Sequence, residues 1–154
     1  MVLYRGKEYP VTARDGNKLA FDGRAFYIPP GLSEDEIRDA CAQLYRVLAK
    51  RHITARAAEL AGKMSLTPAA VKITSAKTRW GSCSSRNNIN FSWRLILASD
   101  PEIDYVIVHE LAHLVEMNHS ARFWRIVESV IPDRKKQESR LRVLERRLFD
   151  EGWG

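Results

Sequence analysis

The sequence has only two cysteines, Cys41 and Cys83, far apart and in no CxxC pair. That shortage excludes a disulfide framework, and reduced thiols are expected. No apolar run is long enough to span a bilayer, so no membrane segment is predicted. The opening MVLYRGKEYP carries charges where a secretory signal needs a continuous apolar stretch, so a cytoplasmic protein is expected. Internal repeats, low-complexity tracts and linker-like stretches are lacking too. The 154 residues, 45% of them apolar with four tryptophans, are therefore expected to form a single domain over 1–154 with a sizeable core. A net charge of +6 makes the surface attractive to nucleotides, nucleic acids or acidic peptides.

Residues 1–31 read as a β-rich N-terminal part. Short apolar runs, Val2-Leu3-Tyr4 and Tyr9-Pro10-Val11, alternate with pauses at Arg5-Gly6-Lys7-Glu8, Asp15-Gly16-Asn17 and Asp22-Gly23, which predicts an antiparallel meander. Ser33 then reads as an N-cap, with Glu36 completing a capping box. Ile37, Ala40, Cys41, Leu44, Tyr45 and Leu48 recur at helical spacing, so a long helix is predicted over 33–62, ending near Leu60 and Gly62. Cys41 falls on its buried stripe as a small core hydrophobe. His52, among Lys50, Arg51 and Arg56, reads as a surface or boundary residue. Residues 70–98 read as strands (Val71–Thr74, Thr78–Trp80 and Ile89–Leu97), the last two joined by a hairpin over Ser84–Asn88. Residues 100–150 read as helices: one started by Ser99-Asp100-Pro101-Glu102, one from Ser120 to near Pro132, and a charged one from Asp133 to about Asp150.

The first of these helices carries HELAHLVEMNH, residues 109–119, with three of the chain's four histidines. Residues four apart on an α-helix lie about 40° round the axis from one another, one turn up. His109 and His113 therefore share a face and can bind one cation through two imidazoles. Glu110 sits about 100° from His109, unsuited to be a comfortable ligand but able to reach a water held by the metal, which is the mechanical content of the H-E-x-x-H pattern. His119 follows six residues after His113, where a chain turning off the helix can swing it back. Ile103, Ile107, Leu111 and Leu114 cluster on the opposite side, predicting a helix with one face in the core and one along a cleft. Imidazole ligands suit Zn2+. A closed structural zinc clamp usually takes four ligands and is rich in cysteine. Three neutral nitrogens instead leave an open position for a water of lowered pKa, with Glu110 to take its proton, so a catalytic site is expected.

Arg79-Trp80-Gly81-Ser82-Cys83-Ser84, then Trp93-Arg94-Leu95, the HELAHL helix, Asn118-His119-Ser120 and Phe123-Trp124 together resemble the YgjP-like metallopeptidase family of small bacterial zincins. The resemblance spans most of the chain, and residues 78–125 carry its specific part. It implies a zincin-like α+β fold, with a small, mostly antiparallel sheet beside the active-site helix and a helical C-terminal part. It also implies His109, His113 and His119 as ligands and Glu110 as catalytic base. The histidine spacing equals that of the metzincins, but those proteins have glycine where Glu116 stands, and the downstream Met-turn has no counterpart here. Asn118, a residue that tolerates left-handed geometry, is the expected bend instead.

Trp80, Trp93, Phe123 and Trp124 are expected to be core around the site, and Cys83 a packed strand residue. Arg79 could bind an anionic substrate group or pair on the surface. Tyr105 and Glu116 lie near the histidine face, where either could orient a ligand or polarise substrate. The leading reading is zinc-dependent hydrolysis of a peptide or protein substrate aligned on an edge strand from 78–97. The alternative of nucleoside triphosphate (UTP) pyrophosphatase is suggested by the annotation of some members of the resembled family, though no acidic magnesium-binding cluster accompanies it. A nucleic-acid-associated protease or binding module is a third reading, resting on Arg134, Lys135, Lys136, Arg140, Arg142, Arg146 and Arg147. The bland account of that segment, a solvated amphipathic helix with Leu141, Leu144 and Leu148 as its apolar stripe, is preferred.

Overall fold

Ser33 starts the longest element, α1 (Glu34–Lys63): its hydroxyl accepts from the Glu36 amide at 3.2 Å, and the Glu36 carboxylate accepts from the Ser33 amide at 3.1 Å. Gly62 lies inside the helix. The chain turns off after the Met64 cap, at Ser65, whose φ is 56°. The computed structural model describes residues 1–153. Before α1 come β1 (Val2–Tyr4), β2 (Lys7–Tyr9), β3 (Val11–Ala13), β4 (Ala20–Phe21) and β5 (Phe26–Ile28). After it come β6 (Ala70–Thr74), β7 (Gly81–Cys83), β8 (Asn88–Ser92), a 3-10 helix (Trp93–Leu97), α2 (Asp100–Ala112), α3 (Ala121–Val130) and α4 (Arg134–Asp150).

The N-terminal strands are not a simple antiparallel meander. β1 and β2 form a hairpin, but β3 pairs parallel to β5, which also pairs antiparallel to β4 and so lies between the two. The hairpin's two-residue turn has φ of 49° at Arg5 and 79° at Gly6, the left-handed pair that matches strand twist. Its tip docks where α2 begins. The Arg5 and Gly6 amides donate to the Ile96 and Leu97 carbonyls at 2.8 and 3.1 Å, and the Arg5 guanidinium grips Asp100 through bonds of 2.7 and 2.8 Å. A Cβ on Gly6 would lie 2.9 Å from that of Ser99, so this docking also requires glycine for space.

The third sheet has the order β6-β8-β7, with β6 parallel and β7 antiparallel to β8. Two expectations shift here. The strand expected at Thr78–Trp80 begins only at Gly81, and the run expected to stay extended to Leu97 winds into the 3-10 helix. Ser92 makes that change: its hydroxyl accepts from the Arg94 amide and donates to the Ala76 carbonyl at 2.7 Å. Trp93, Leu95, Ile96 and Leu97 are all buried, which a half-exposed strand, burying alternate residues, could not achieve.

One continuous apolar core joins Leu3 to Leu148. α1 lies against the 3-10 helix, α2 and β6, while α2 also meets β7, α3 and α4. The Arg56 guanidinium ties α1 to α2 by two bonds of 2.8 Å to Asp104. Among the described residues no helix is long and apolar enough to cross a membrane. At the centre, Tyr45 stacks on Trp93, with ring centroids 5.7 Å apart and planes 11° apart, and donates its hydroxyl to the Leu3 carbonyl at 2.6 Å. Tyr45→Phe keeps the stack and strands that buried carbonyl. A loss of about 1–2 kcal/mol is expected, read as a lower urea midpoint with an unchanged slope.

Candidate metal centre

Ile103, Ile107 and Leu111 are wholly buried along one side of α2, with Leu114 half-buried beyond them, while His109 and His113 are half-buried on another side. His113 is the helix C-cap and keeps helical angles, φ −65° and ψ −18°, so the two imidazoles retain the one-turn spacing the motif predicts. The chain tightens after His113 and then bends at Met117 and Asn118. The Leu114, Val115 and Glu116 amides donate to the Leu111, Ala112 and Ala112 carbonyls at 3.0, 3.1 and 3.0 Å. Among the described non-glycine residues only Arg5, Ser65 and Asn87 have positive φ. The bend expected at Asn118 is present, but the expected left-handed geometry is corrected: a 3-10-like turn and then a bend at Met117 and Asn118, without positive φ, bring His119 back, and neither needs glycine.

The result is a close group. Ligand atoms of His109, His113 and His119 all lie within 4.8 Å of one another, the only such gathering of His, Cys, Asp or Glu among the described residues. His113 Nδ1 lies 3.2 Å from the Glu116 carbonyl oxygen, which fixes the proton on Nδ1 and leaves the Nε2 lone pair free. His119 Nε2 stands 3.2 Å from that lone pair. Burial, then the two neighbouring imidazoles, push the His119 pKa below its ordinary value, favouring the neutral form that a metal ligand requires. Two imidazole nitrogens this close share either a proton or a cation, and the convergence of a third imidazole on them makes a donor set that fits a metal ion.

The centre rests on aromatic walls. Phe123 is fully buried on α3, with its ring 5.0, 4.5 and 4.9 Å from those of His109, His113 and His119. Trp124 stacks on His119 at 5.7 Å and 24°, and the Arg134 guanidinium lies 3.8 Å from the Trp124 ring centroid. Arg134 also pairs with Glu128 and Glu138, each at 2.9 Å. Ser120 starts α3 by accepting from the Phe123 amide at 3.3 Å. The turn that returns His119 thus leads directly into the helix that holds it.

Glu110 is 6% exposed, with its Oε2 3.2 Å from His109 Nδ1. Its other neighbour is strand β7. A Cβ added at Gly81 would lie 3.0 Å from Glu110 Cγ and 3.1 Å from the Asn90 carbonyl oxygen. Glycine here lets the sheet close over the carboxylate. The sequence marks Gly81 only as part of a block, with no hint of this contact.

The other expected residues divide. Tyr105 is buried with its ring 5.9 Å from His109, but its hydroxyl donates to Glu138 at 2.7 Å. Burial, then Glu138, hold that phenol well above the usual range. Glu116 reaches the centre through its backbone carbonyl, and its carboxylate faces Arg122 at 3.8 Å. Arg79 is exposed on a groove beside α4 and is not brought to the histidines. Cys83 is half-buried on β7 and outside the ligand group, its thiol raised by burial and then by the charge of Glu110. Trp93 packs with Tyr45 and Trp153, away from the site. Phe123→Ala should remove the platform under all three imidazoles and cost about 3–5 kcal/mol in chemical denaturation.

Three comparisons bear on this centre. The chain is similar in structure to the metallopeptidase zymogen of Pyrococcus abyssi abylysin, with 26% identity and a TM-score of 0.53 over 58% of this chain and 90% of that one. It is similar in fold to the metallopeptidase zymogen of Methanocaldococcus jannaschii jannalysin, with 17% identity and a TM-score of 0.52 over 61% of this chain and 95% of that one. The fold is thus α+β and zincin-like, as the family resemblance implied. No curated protein matches the chain. The model of the YgjP-like, metallopeptidase domain family matches residues 1–143. Membership implies a metal ion and hydrolysis of peptide bonds: the chain belongs to the YgjP-like metallopeptidase family.

Proposed function

We propose that the chain is a zinc-dependent peptidase, with His109, His113 and His119 holding the metal and Glu110 acting as general base. The observation that carries this reading is the convergence of three imidazoles beside a buried carboxylate that is not part of their group. An all-nitrogen donor set suits zinc better than the oxygen-seeking magnesium or calcium. When bound, the ion supplies Lewis acidity, polarising the scissile carbonyl and lowering the pKa of water.

The chain's own residues do the rest. Glu110 takes the proton from the attacking water and later passes it to the departing amine, while its contact with β7 fixes the direction of its carboxylate. His113 stays in one tautomer through the Glu116 carbonyl. Tyr105, tied to Glu138, acts as a wall of the site rather than a proton donor. β7 is an edge strand, so its outer edge can align an extended peptide by main-chain hydrogen bonds. The reading takes residues 1–154 as one catalytic domain, since one core joins its first strand to its last helix, and places it in the cytoplasm with both thiols reduced. Phosphoanhydride hydrolysis is not favoured, because no carboxylate cluster stands beside the histidines among the described residues.

Two substitutions test the roles. Glu110→Gln should retain bound zinc by elemental analysis and lose about 10²–10⁴-fold in peptide turnover; wild-type turnover would overturn the mechanism. Gly81→Ala should push Glu110 out of line and lower kcat on the order of tenfold to a hundredfold with zinc content unchanged. Unaltered kcat would mean that the contact does not position the base.

A further inference from the structure

A groove of about 1260 Å³ lies between residues 76–80 and the C-terminal half of α4. Arg94 braces its wall by donating to the Ser75 and Ala76 carbonyls at 3.0 and 3.1 Å and to the Trp153 carbonyl. Four further cations line it, all exposed: Lys77 and Arg79 on the loop, Arg142 and Arg146 one turn apart on α4. None of the four takes part in an ion pair among the described residues. Between them the lining is mainly apolar, and Val143 and Phe149 are each 72% exposed. The groove reaches Trp80, whose next residue, Gly81, opens β7 against Glu110. It is therefore continuous in the chain with the proposed substrate strand.

We propose that this groove is a subsite for an acidic stretch of the substrate polypeptide, anchored by apolar side chains and flanking the segment laid along β7. The inference rests on the peptidase reading and names the substrate class of that site. Unpaired cations on both walls attract carboxylates, and the exposed Val143 and Phe149 offer contacts for Leu- or Phe-like anchors. A nucleic acid fits less well. Its phosphates gain from the cations alone and leave the apolar lining around Val143 and Phe149 unmatched, whereas a peptide can offer carboxylates and aliphatic side chains together.

The test uses the zinc-loaded Glu110→Gln protein and fluorescent peptides alternating leucine with glutamate, glutamine or lysine, with a single-stranded oligonucleotide as competitor. Anisotropy should show the glutamate peptide binding at least about tenfold more tightly than the glutamine one, with the lysine peptide weakest. Reversing charge on either wall, by Arg142→Glu with Arg146→Glu or by Lys77→Glu with Arg79→Glu, should weaken the glutamate peptide roughly tenfold. Equal affinity for the three peptides, or indifference to reversal on both walls, would overturn the subsite. Tighter binding of the oligonucleotide than of the glutamate peptide would reassign the groove to nucleic acid and overturn it as well. Binding is read on a protein that does not depend on turnover. A wild-type enzyme that cleaves no peptide would therefore count against the peptidase reading alone, and loss of acidic selectivity with cleavage intact would count against the groove alone.

Discussion

Nine of the thirteen residues of α2 are buried, yet the helix carries Glu102, Asp104, Tyr105, His109 and Glu110. Burying polar groups costs stability unless each is paired, so the packing around α2 is dictated by their partners as much as by its apolar residues. Arg56 reaches across from α1 to Asp104, Glu138 from α4 meets the Tyr105 hydroxyl, and Glu102 folds back on the Ser99 amide. The first two tie α1 and α4 to the helix, the third closes its own N-terminus, and the Arg5 grip on Asp100 adds the hairpin tip. The arrangement of α1, α4 and the hairpin tip follows from the needs of one buried polar helix, and that helix carries the proposed base and two of the three proposed ligands.

His119 is the member that α2 cannot hold. It lies past the helix end and is exposed, and its ring is fixed by Trp124 on α3, which is itself covered by the Arg134 guanidinium from α4. The shared spacing with metzincins is therefore a statement about reach. Ten residues from the first histidine to the third can be spanned by a glycine-assisted bend or, as here, by a tightened last helical turn followed by a bend at Met117 and Asn118 without positive φ. Position 116 illustrates the difference. The backbone there needs no positive φ, and its carbonyl, which any residue at 116 would carry, sets the His113 tautomer.

Features written in short-range chemistry were legible in the sequence. The Ser33 and Ser120 caps start helices as expected, the periodic apolar residues of α1 face the core, and the histidine spacing brings three imidazoles together. Features set by long-range pairing were not. β7 is three residues long, GSC, with no periodicity to mark it, and its place depends on the β8 register. The apolar run Trp93–Leu97 suits a strand or a tight helix equally, and Ser92 decides between them through a bond to Ala76, which is distant in sequence. The parallel pairing of β3 and β5 is likewise a matter of topology. The packing of Gly81 against Glu110 joins residues twenty-nine positions apart and left no trace that one sequence could display.

α4 links chemistry to recognition in the proposed enzyme. Its buried side, with Gln137, Leu141 and Leu148, belongs to the core, and Glu138 at its start ends the chain of bonds from Tyr105. The opposite side lines the cationic groove. A helix fixed at one face by partners of α2 can vary the other face without moving the histidines, because surface side chains away from buried contacts change stability little. The tolerance is not equal on the facing wall. There Arg94 binds two carbonyls of the loop and one of the C-terminal tail, and Trp80 sits one residue from the glycine that shields the base. Changes in what the groove accepts are therefore more cheaply made on α4, at Arg142, Val143, Arg146 and Phe149, than on the loop, where binding and the placement of Glu110 share the same backbone.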